Sequence, residues 1–505
     1  MKAVKIVSLL LSLILTLSLF AACGAKDNGK ESEQETTQAE KDTNGTDTPA
    51  KETETEAIKP TTLPEKQNFD FDFEVLHWTV GGQAVGEGWI PWEEIAVDED
   101  TGDGLVKEVF DRNNLLEEQY GIRVHTTYEN TEPITNIVQN MISTGEDNYQ
   151  MVVQRGYQFQ FLMTTNSFAD MSSLSTMDLS KPWYNQDSIN TFTFGGKTIM
   201  ATSDLLLLDK GATAAVYYNK ELASENNFAE NYFYNKVNNY EWTLQELVNT
   251  MEAVYQDATG DGYTTDDIFG AEGGDDPMHF VFNGAGERFC VSDPDEYLRY
   301  TFYSERALDV VDSILNDLCL NSAYLSGTNY DTSDVQNPFS SNHVFFSFGT
   351  IKSVGGLRSM VAPYGILPIP MYEESQKQYY SEISPHHGSL FAIPATAVIN
   401  PEEADIVGIV VEDLSYISST GVYPELYNVV LEGKGTRDQE SREMLKLIFD
   451  TRMFDLGIIF DFNQFADHVL RLPGKNKSIV TLWAEDEEGI DAALEKTVEA
   501  LKKLD

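Results

Sequence analysis

The chain has 505 residues, with 82 acidic against 34 basic side chains and a formal charge of −48. A field of that sign repels nucleic acid and anionic lipid headgroups and disfavours a strongly anionic ligand. Apolar residues at 41% and aromatics at 11% supply a well-packed core, whereas three cysteines are too few for a disulfide-stapled scaffold.

Lys2 and Lys5 precede an apolar run from Ile6 to Phe20, and Phe20-Ala21-Ala22-Cys23-Gly24 follows. A positive start, a short apolar stretch and a small-residue cleavage site make a secretory signal over 1–22. The Cys directly after two alanines resembles a bacterial lipobox, with Phe20 where Leu is usual. That resemblance implies that Cys23 becomes the acylated first residue of the mature protein. Residues 23–67 are nearly free of aliphatic and aromatic side chains. Such a stretch cannot offset its ordering entropy by burial and reads as a disordered tether.

The remaining residues are too many for one small core and suit two lobes. Phe69 to Trp78 alternates apolar with polar residues and predicts a strand. Asp103 to Tyr120 has helical spacing and stops at Gly121. Ile122–Thr127 predicts a strand, Ile134–Ser143 a helix and Tyr149–Val153 a strand. Strand–helix–strand alternation is the pattern of an α/β domain with a mostly parallel sheet. Further on, Ala212–Tyr218 predicts a strand. Trp242–Tyr255 leads into a helix with Thr243 and Glu246 as a capping box. Tyr297–Cys319 predicts one long helix, Val344–Phe348 and Tyr364–Ile369 strands, and Glu402–Ser415, Pro424–Leu431 and Ser441–Asp450 helices.

Several stretches, in order, resemble the large solute-binding lipoproteins of ABC importers from Gram-positive bacteria. They are Glu93 to Asp103 leading into Asp111 to Ile122, Asp178 to Asn185, Val216 to Lys220, Trp242-Thr243, Asp257 to Gly262, and Leu357 to Met360 with Tyr364 to Pro370, Gln376 and Tyr379-Tyr380. The resemblance implies an α/β, two-lobe periplasmic-binding-protein-like fold (type II) with its ligand cleft between the lobes. It places lobe 1 at 68–207 plus 344–390 and lobe 2 at 208–343 plus 391–505. It implies a carbohydrate ligand, ABC permease transmembrane subunits as partners, and membrane attachment through the lipid alone on the extracellular face of the cell. A peptide ligand stays open, because aromatic clefts serve peptides too.

A sugar is gripped by aromatic plates on its C–H faces and by hydrogen-bonding side chains at its edges. Trp78 ends the first predicted strand, where ligands of open α/β sheets gather. Trp183 and Tyr184 sit in a polar, Pro-containing segment. Phe348 precedes Gly349 on a predicted crossing strand, and His386 lies near the last crossing. These five are the expected ligand contacts; packing is the plainer role for the aromatic residues, and a solvated loop for His386. Asp257, Thr259 and Asp261, followed by Gly262, resemble the first half of a calcium loop. The twelfth position is Ile268 rather than an acid, so an acidic turn is the alternative reading and no cofactor is otherwise expected. No zinc-protease helix, serine-hydrolase elbow or Walker spacing is present. A surface glycosidase, needing only two carboxylates, and a calcium-dependent adhesin stand as alternatives. Cys290 and Cys319 could pair, but spacing alone does not decide it.

Overall fold

The structure is a computed structural model, and it describes residues 62, 65–80, 92–258, 260, 267–326, 338–357, 360–431 and 439–504. Cys23, Thr259, Asp261 and the tether lie outside the described residues. No helix among the described residues is long and apolar enough to cross a membrane.

The first lobe opens with strand β1 (Phe71–Thr79) and helix α1 (Gly104–Tyr120). Asp103 caps α1 by accepting from the N–H groups of Leu105 and Val106. Gly121 ends the helix at φ 68°, the left-handed conformation that a Cβ disfavours, and its N–H reaches the Glu117 carbonyl. Strand β2 (Ile122–Asn130), helix α2 (Thr131–Thr144) and strand β3 (Met151–Arg155) follow, and helix α3 (Gly156–Met163) starts directly after β3. β1 lies between β2 and β3, parallel to both. The apolar–polar alternation of β1 holds only to Glu74, and Val75 to Trp78 are all buried. Crossover connections place helices on the faces of a parallel sheet, so a central strand is covered on both sides.

The second lobe is built on strands β4 (Ala214–Asn219), β5 (Phe269–Glu272), β6 (Tyr324–Leu325), β7 (Val344–Thr350) and β8 (Tyr364–Leu367). Their order is β6-β5-β7-β4-β8, with β5, β6 and β7 parallel and β4 antiparallel to β7 and β8. Helix α4 (Leu244–Val254) packs behind this sheet. Thr243 caps it, accepting from the Glu246 N–H at 3.2 Å, but the Glu246 carboxylate accepts from the Tyr232 hydroxyl instead of closing the expected box.

The chain then returns through the two-residue strand β9 (Ser381–Glu382) to β10 (Ser389–Ala392), which joins the first sheet antiparallel to β3. The first sheet therefore runs β10-β3-β1-β2. The expected assignment of 344–390 to lobe 1 is corrected: β7 and β8 belong to the second sheet, and the return falls between them and β10. Apolar runs such as Val344–Phe348 mark a strand buried on both faces and do not say which sheet it joins. After β10, helices α5 (Pro401–Thr420) and α6 (Val422–Val430) pack on α1, helix α7 (Gln439–Asp450) packs on β8, and strand β11 (Arg452–Met453) pairs in parallel with β9. C-terminal residues thus serve both lobes, where lobe 2 alone was expected to hold 391–505.

Tyr297–Cys319 is not one helix. The Asp293 carboxylate accepts from the N–H groups of Asp295 and Glu296 at 3.0 Å each, turning the chain so that Tyr297–Tyr300 pairs with Cys290–Asp293. Such a side-chain turn competes with helix. The helix starts only at Glu305, behind a Ser304 cap, and its end, Ile314–Cys319, widens to π geometry. Cys290 and Cys319 are free and buried, so the open question of their pairing is answered by two thiols.

Three short connectors join the lobes side by side. Thr213 bridges Ile383, Ser381 and Glu382 pair with Arg452 and Met453, and the Ser384 N–H donates to the Ala212 carbonyl at 3.0 Å.

Candidate functional site

Parallel strands end on one edge, so each lobe presents the carboxyl ends of its strands together. In the first lobe the end of β3 is Arg155, and Gly156-Tyr157 turns straight into α3. The turn before β10 docks there: the Gly156 N–H donates to the Gly388 carbonyl at 3.2 Å and the Tyr157 N–H to the Pro385 carbonyl at 2.9 Å. A Cβ on Gly156 would stand 3.2 Å from the Pro385 side chain, so the close approach favours glycine. Arg155 ties the corner together. Its guanidinium donates to the His386 carbonyl at 3.1 Å and the Thr131 hydroxyl at 3.2 Å, and its centre lies 5.0 Å from the Trp78 ring centroid.

Above this corner the Tyr157 and His386 rings stand 4.9 Å apart at 36°. They form one wall of a cavity of about 320 Å³. The opposite wall carries His279, from the helix Pro277–Gly284 that follows β5 in the second lobe, with Asp461, Gln464, Asp467 and Arg471. The loop that presents Asp461 and Gln464 is strained: Asp461, Asn463 and Gln464 have φ of 44°, 55° and 60°. Non-glycine residues held in that region cluster at functional sites. The Asn463 amide donates to the Asp486 carboxylate at 3.1 Å and holds the loop in place.

The electrostatics suit a neutral, hydrogen-bonding ligand. Burial, then the nearby Arg155 cation, holds the His386 imidazole below its ordinary value. Burial likewise pushes His279 down to about 4, and its Nε2 faces the Ala466 carbonyl at 2.9 Å, so that nitrogen carries the proton. Neutral imidazole offers one donor and one acceptor. The Arg471 guanidinium donates to the Asp467 carboxylate at 2.8 Å, which answers one charge with another. Among the described residues no group of three His, Cys, Asp or Glu side chains is arranged to hold a metal ion.

The five expected contacts part ways. His386 lines this cavity. Trp78 lies beneath it, 1% exposed, its Nε1 donating to the Ser389 hydroxyl at 2.8 Å and its ring under Arg155. It supports the corner and is not an open plate, because β1 is covered on both faces. Phe348 is 5% exposed and packs against the turn after β5, where a Cβ on Gly273 would meet its own Cβ at 2.6 Å. Gly349 faces the Ser353 hydroxyl, not an open cleft. Trp183 is half-buried against Tyr416, ring centroids 5.1 Å apart, in the packed corner on α5. Tyr184 is buried and donates to Glu412 at 2.8 Å, while its edge reaches a second cavity. Asp257 is exposed and accepts from the Gly260 N–H at 2.6 Å, an acidic turn. Tyr157, Gln464 and Arg471 were not foreseen. Arg155-Gly156-Tyr157 begins two residues past the predicted strand Tyr149–Val153, so the strand-end rule applied to Trp78 also points to Tyr157.

No protein-family model and no curated protein matches the chain. Among solved structures it is similar to the cyclic α-maltosyl-1,6-maltose binding protein of Arthrobacter globiformis. That match has 12% identity and a TM-score of 0.56, and covers 84% of this chain and 99% of that one. The chain has the two-lobe solute-binding-protein fold. A sugar transporter of Rhizobium etli in an open conformation matches at 12% identity and TM-score 0.54, over 85% of this chain and 99% of that one. UspC of M. tuberculosis matches at 13% and 0.54, over 84% and 100%. In the solute-binding fold two lobes close on a ligand by hinge motion, which agrees with a cavity walled by the end of β3 and the turn before β10 on one side and by the helix Pro277–Gly284 of the second lobe with residues 458–471 on the other.

Proposed function

We propose that the chain is the substrate-binding component of an ABC importer, capturing a carbohydrate outside the cell and handing it to a membrane permease. The observation that carries this is the inter-lobe cavity. Its Tyr157–His386 wall offers ring faces, and Gln464, neutral histidine and the Asp467–Arg471 pair offer hydrogen bonds to hydroxyl groups. The solved structures of similar fold include proteins named for maltose-type sugars. On this reading the chain binds without turnover, Cys23 carries the lipid, and residues 23–67 let the folded part clear the membrane surface. The Asp257 turn, with Thr259 and Asp261, is left as a calcium site of secondary rank, which a chelator titration of the melting temperature tests.

The deciding experiment is a thermal-shift screen of the mature protein against mono- and oligosaccharides, with peptides as controls. A ligand at 100 times its Kd adds about 2.7 kcal/mol. Unfolding entropy near 2.1 cal/mol/K per residue gives about 0.9 kcal/mol/K for roughly 440 residues, so the expected rise is about 3 °C. The rise should be selective for one sugar class and be lost in Tyr157→Ala. A rise with peptides alone discards the carbohydrate. Release of reducing sugar from chromogenic glycosides would make the chain a glycosidase.

A further inference from the structure

A second cavity, of about 430 Å³, shares no lining residue with the first. It lies against the connectors. Gln378 and Tyr380 precede β9, Asp450 to Met453 run into β11, and Asp204 stands ahead of the first connector. Its remaining walls include Asp187 from the first lobe and Arg288 from the second.

Each charge around it has a counter-charge. Asp187 meets Arg288 at 2.5 Å, Asp204 meets Lys210 at 3.4 Å, Arg452 meets Asp209 at 2.6 Å, and Asp450 meets Lys446. An ionic ligand finds no unanswered partner here. What the walls offer instead are the tyrosine rings of Tyr380 and Tyr423, the amide of Gln378 and the amide oxygen of Gln186, whose nitrogen already donates to the Leu179, Lys181 and Tyr184 carbonyls. Tyr423 and Asp450 also line an adjoining surface groove of about 550 Å³, where the Tyr423 and Tyr427 rings lie 5.4 Å apart. Rings beside amides and paired charges, at a volume within the ~300–1,000 Å³ of small-ligand pockets, match a neutral hydroxylated molecule.

We propose that this cavity is a second saccharide site, whose occupant runs from Tyr380 out across Tyr423 and Tyr427. Because residues beside two connectors and an inter-lobe ion pair wall it, its occupancy is coupled to lobe spacing. The proposal does not rest on what the first cavity binds.

The test is saturation-transfer NMR on the full mature protein with maltotriose, cellotriose, xylotriose and mannotriose as probes. With at least one trisaccharide, transfer should persist in Arg155→Met/Tyr157→Ala and fall several-fold when Tyr380→Ala is added. Gln378→Ala, at an exposed position, should weaken it as well. Absence of transfer from all four probes in Arg155→Met/Tyr157→Ala overturns the proposal, and so does transfer indifferent to both Tyr380→Ala and Gln378→Ala. If the wild type shows transfer and Arg155→Met/Tyr157→Ala abolishes it, the first cavity is the saccharide site and the second is not. If wild-type transfer is undiminished by Arg155→Met/Tyr157→Ala and is abolished by Tyr380→Ala/Gln378→Ala in an otherwise wild-type chain, the reading of the first cavity fails and this one stands.

Discussion

Arg155→Met isolates what the corner of the first cavity contributes. Methionine keeps much of the apolar stem and removes the guanidinium. Two hydrogen bonds from a charged donor are lost, to the His386 carbonyl and the Thr131 hydroxyl, each worth about 1.5–3 kcal/mol when fully protected. The contact with the Trp78 ring goes too, at roughly 0.5–2 kcal/mol. Two effects offset this: water can replace the arginine at the exposed His386 carbonyl, and burial already penalises the cation, whose pKa it lowers. The net loss should be about 2 kcal/mol, or roughly 2 °C at 0.9 kcal/mol/K. The turn stays docked by its two backbone bonds to Gly156 and Tyr157, but the His386 ring is no longer fixed against Tyr157. Sugar affinity measured by titration calorimetry should then fall about tenfold, or ~1.4 kcal/mol. Arg155→Lys should recover at most part of both losses, since a lysine cannot reproduce the planar fork. A methionine variant that melts and binds like the wild type would refute this account of the corner.

Three further outcomes are expected. Burial raises the Glu272 carboxyl to about 7 against the opposing Ser347 hydrogen bond. The folded state therefore holds this proton more tightly than the unfolded chain, and stability falls as pH rises from about 4.5 through 7. Glu272→Gln should raise stability at pH 8 by on the order of 3 kcal/mol, a rise of about 3 °C in melting temperature, and give no such gain at pH 4.5; equal gains at both would refute the assignment. Burial also raises both thiols, Cys319 to about 12, so a thiol reagent at pH 8 should react with Cys290 and Cys319 only after denaturation, and fast native labelling would contradict their burial. Asp209→Ala strips Lys210 and Arg452 of a buried counter-ion and should cost about 3–5 kcal/mol, read from denaturant midpoints; a change under 1 kcal/mol would show that the network is dispensable.

Much of the fold was legible because local signals and tertiary demands agree. Gly121 stops α1 in the left-handed conformation, as expected, whereas the helix expected to open at Pro424 starts two residues earlier, at Val422. What failed shares a cause. Trp78 and Phe348 were expected in the cleft from strand position alone, yet a doubly covered sheet buries a strand end as thoroughly as its middle. The 297–319 stretch has helical spacing, and one carboxylate, Asp293, was enough to turn its start into a hairpin. Sheet membership of Val344–Thr350 depends on pairings with residues over a hundred positions away, Tyr218 among them, which no local pattern records. His386 lines the first cavity from the turn before β10, while Asp461 and Gln464 depend on backbone strain, which composition does not reveal.

The connectors lie close to one cavity and join the two lobes that wall the other. β9 and β11 are two residues each, so few backbone hydrogen bonds hold the lobes in register. Side chains add the rest. Lys210 donates to the carbonyls of Ser203 and Leu206 at 2.9 Å each and pairs with Asp209, which in turn holds Arg452. This ties the first connector to the third through a buried ion network. Such networks are sensitive to geometry, because a buried charge that loses its partner is costly. A small rotation between lobes is therefore resisted at the network and absorbed where charges are wetter, at the Asp187–Arg288 pair, whose side chains are about a quarter exposed at 24% and 22%. That pair walls the second cavity, and the Tyr157–His386 wall faces the first, so a change of lobe spacing that admits ligand to one must reshape the other.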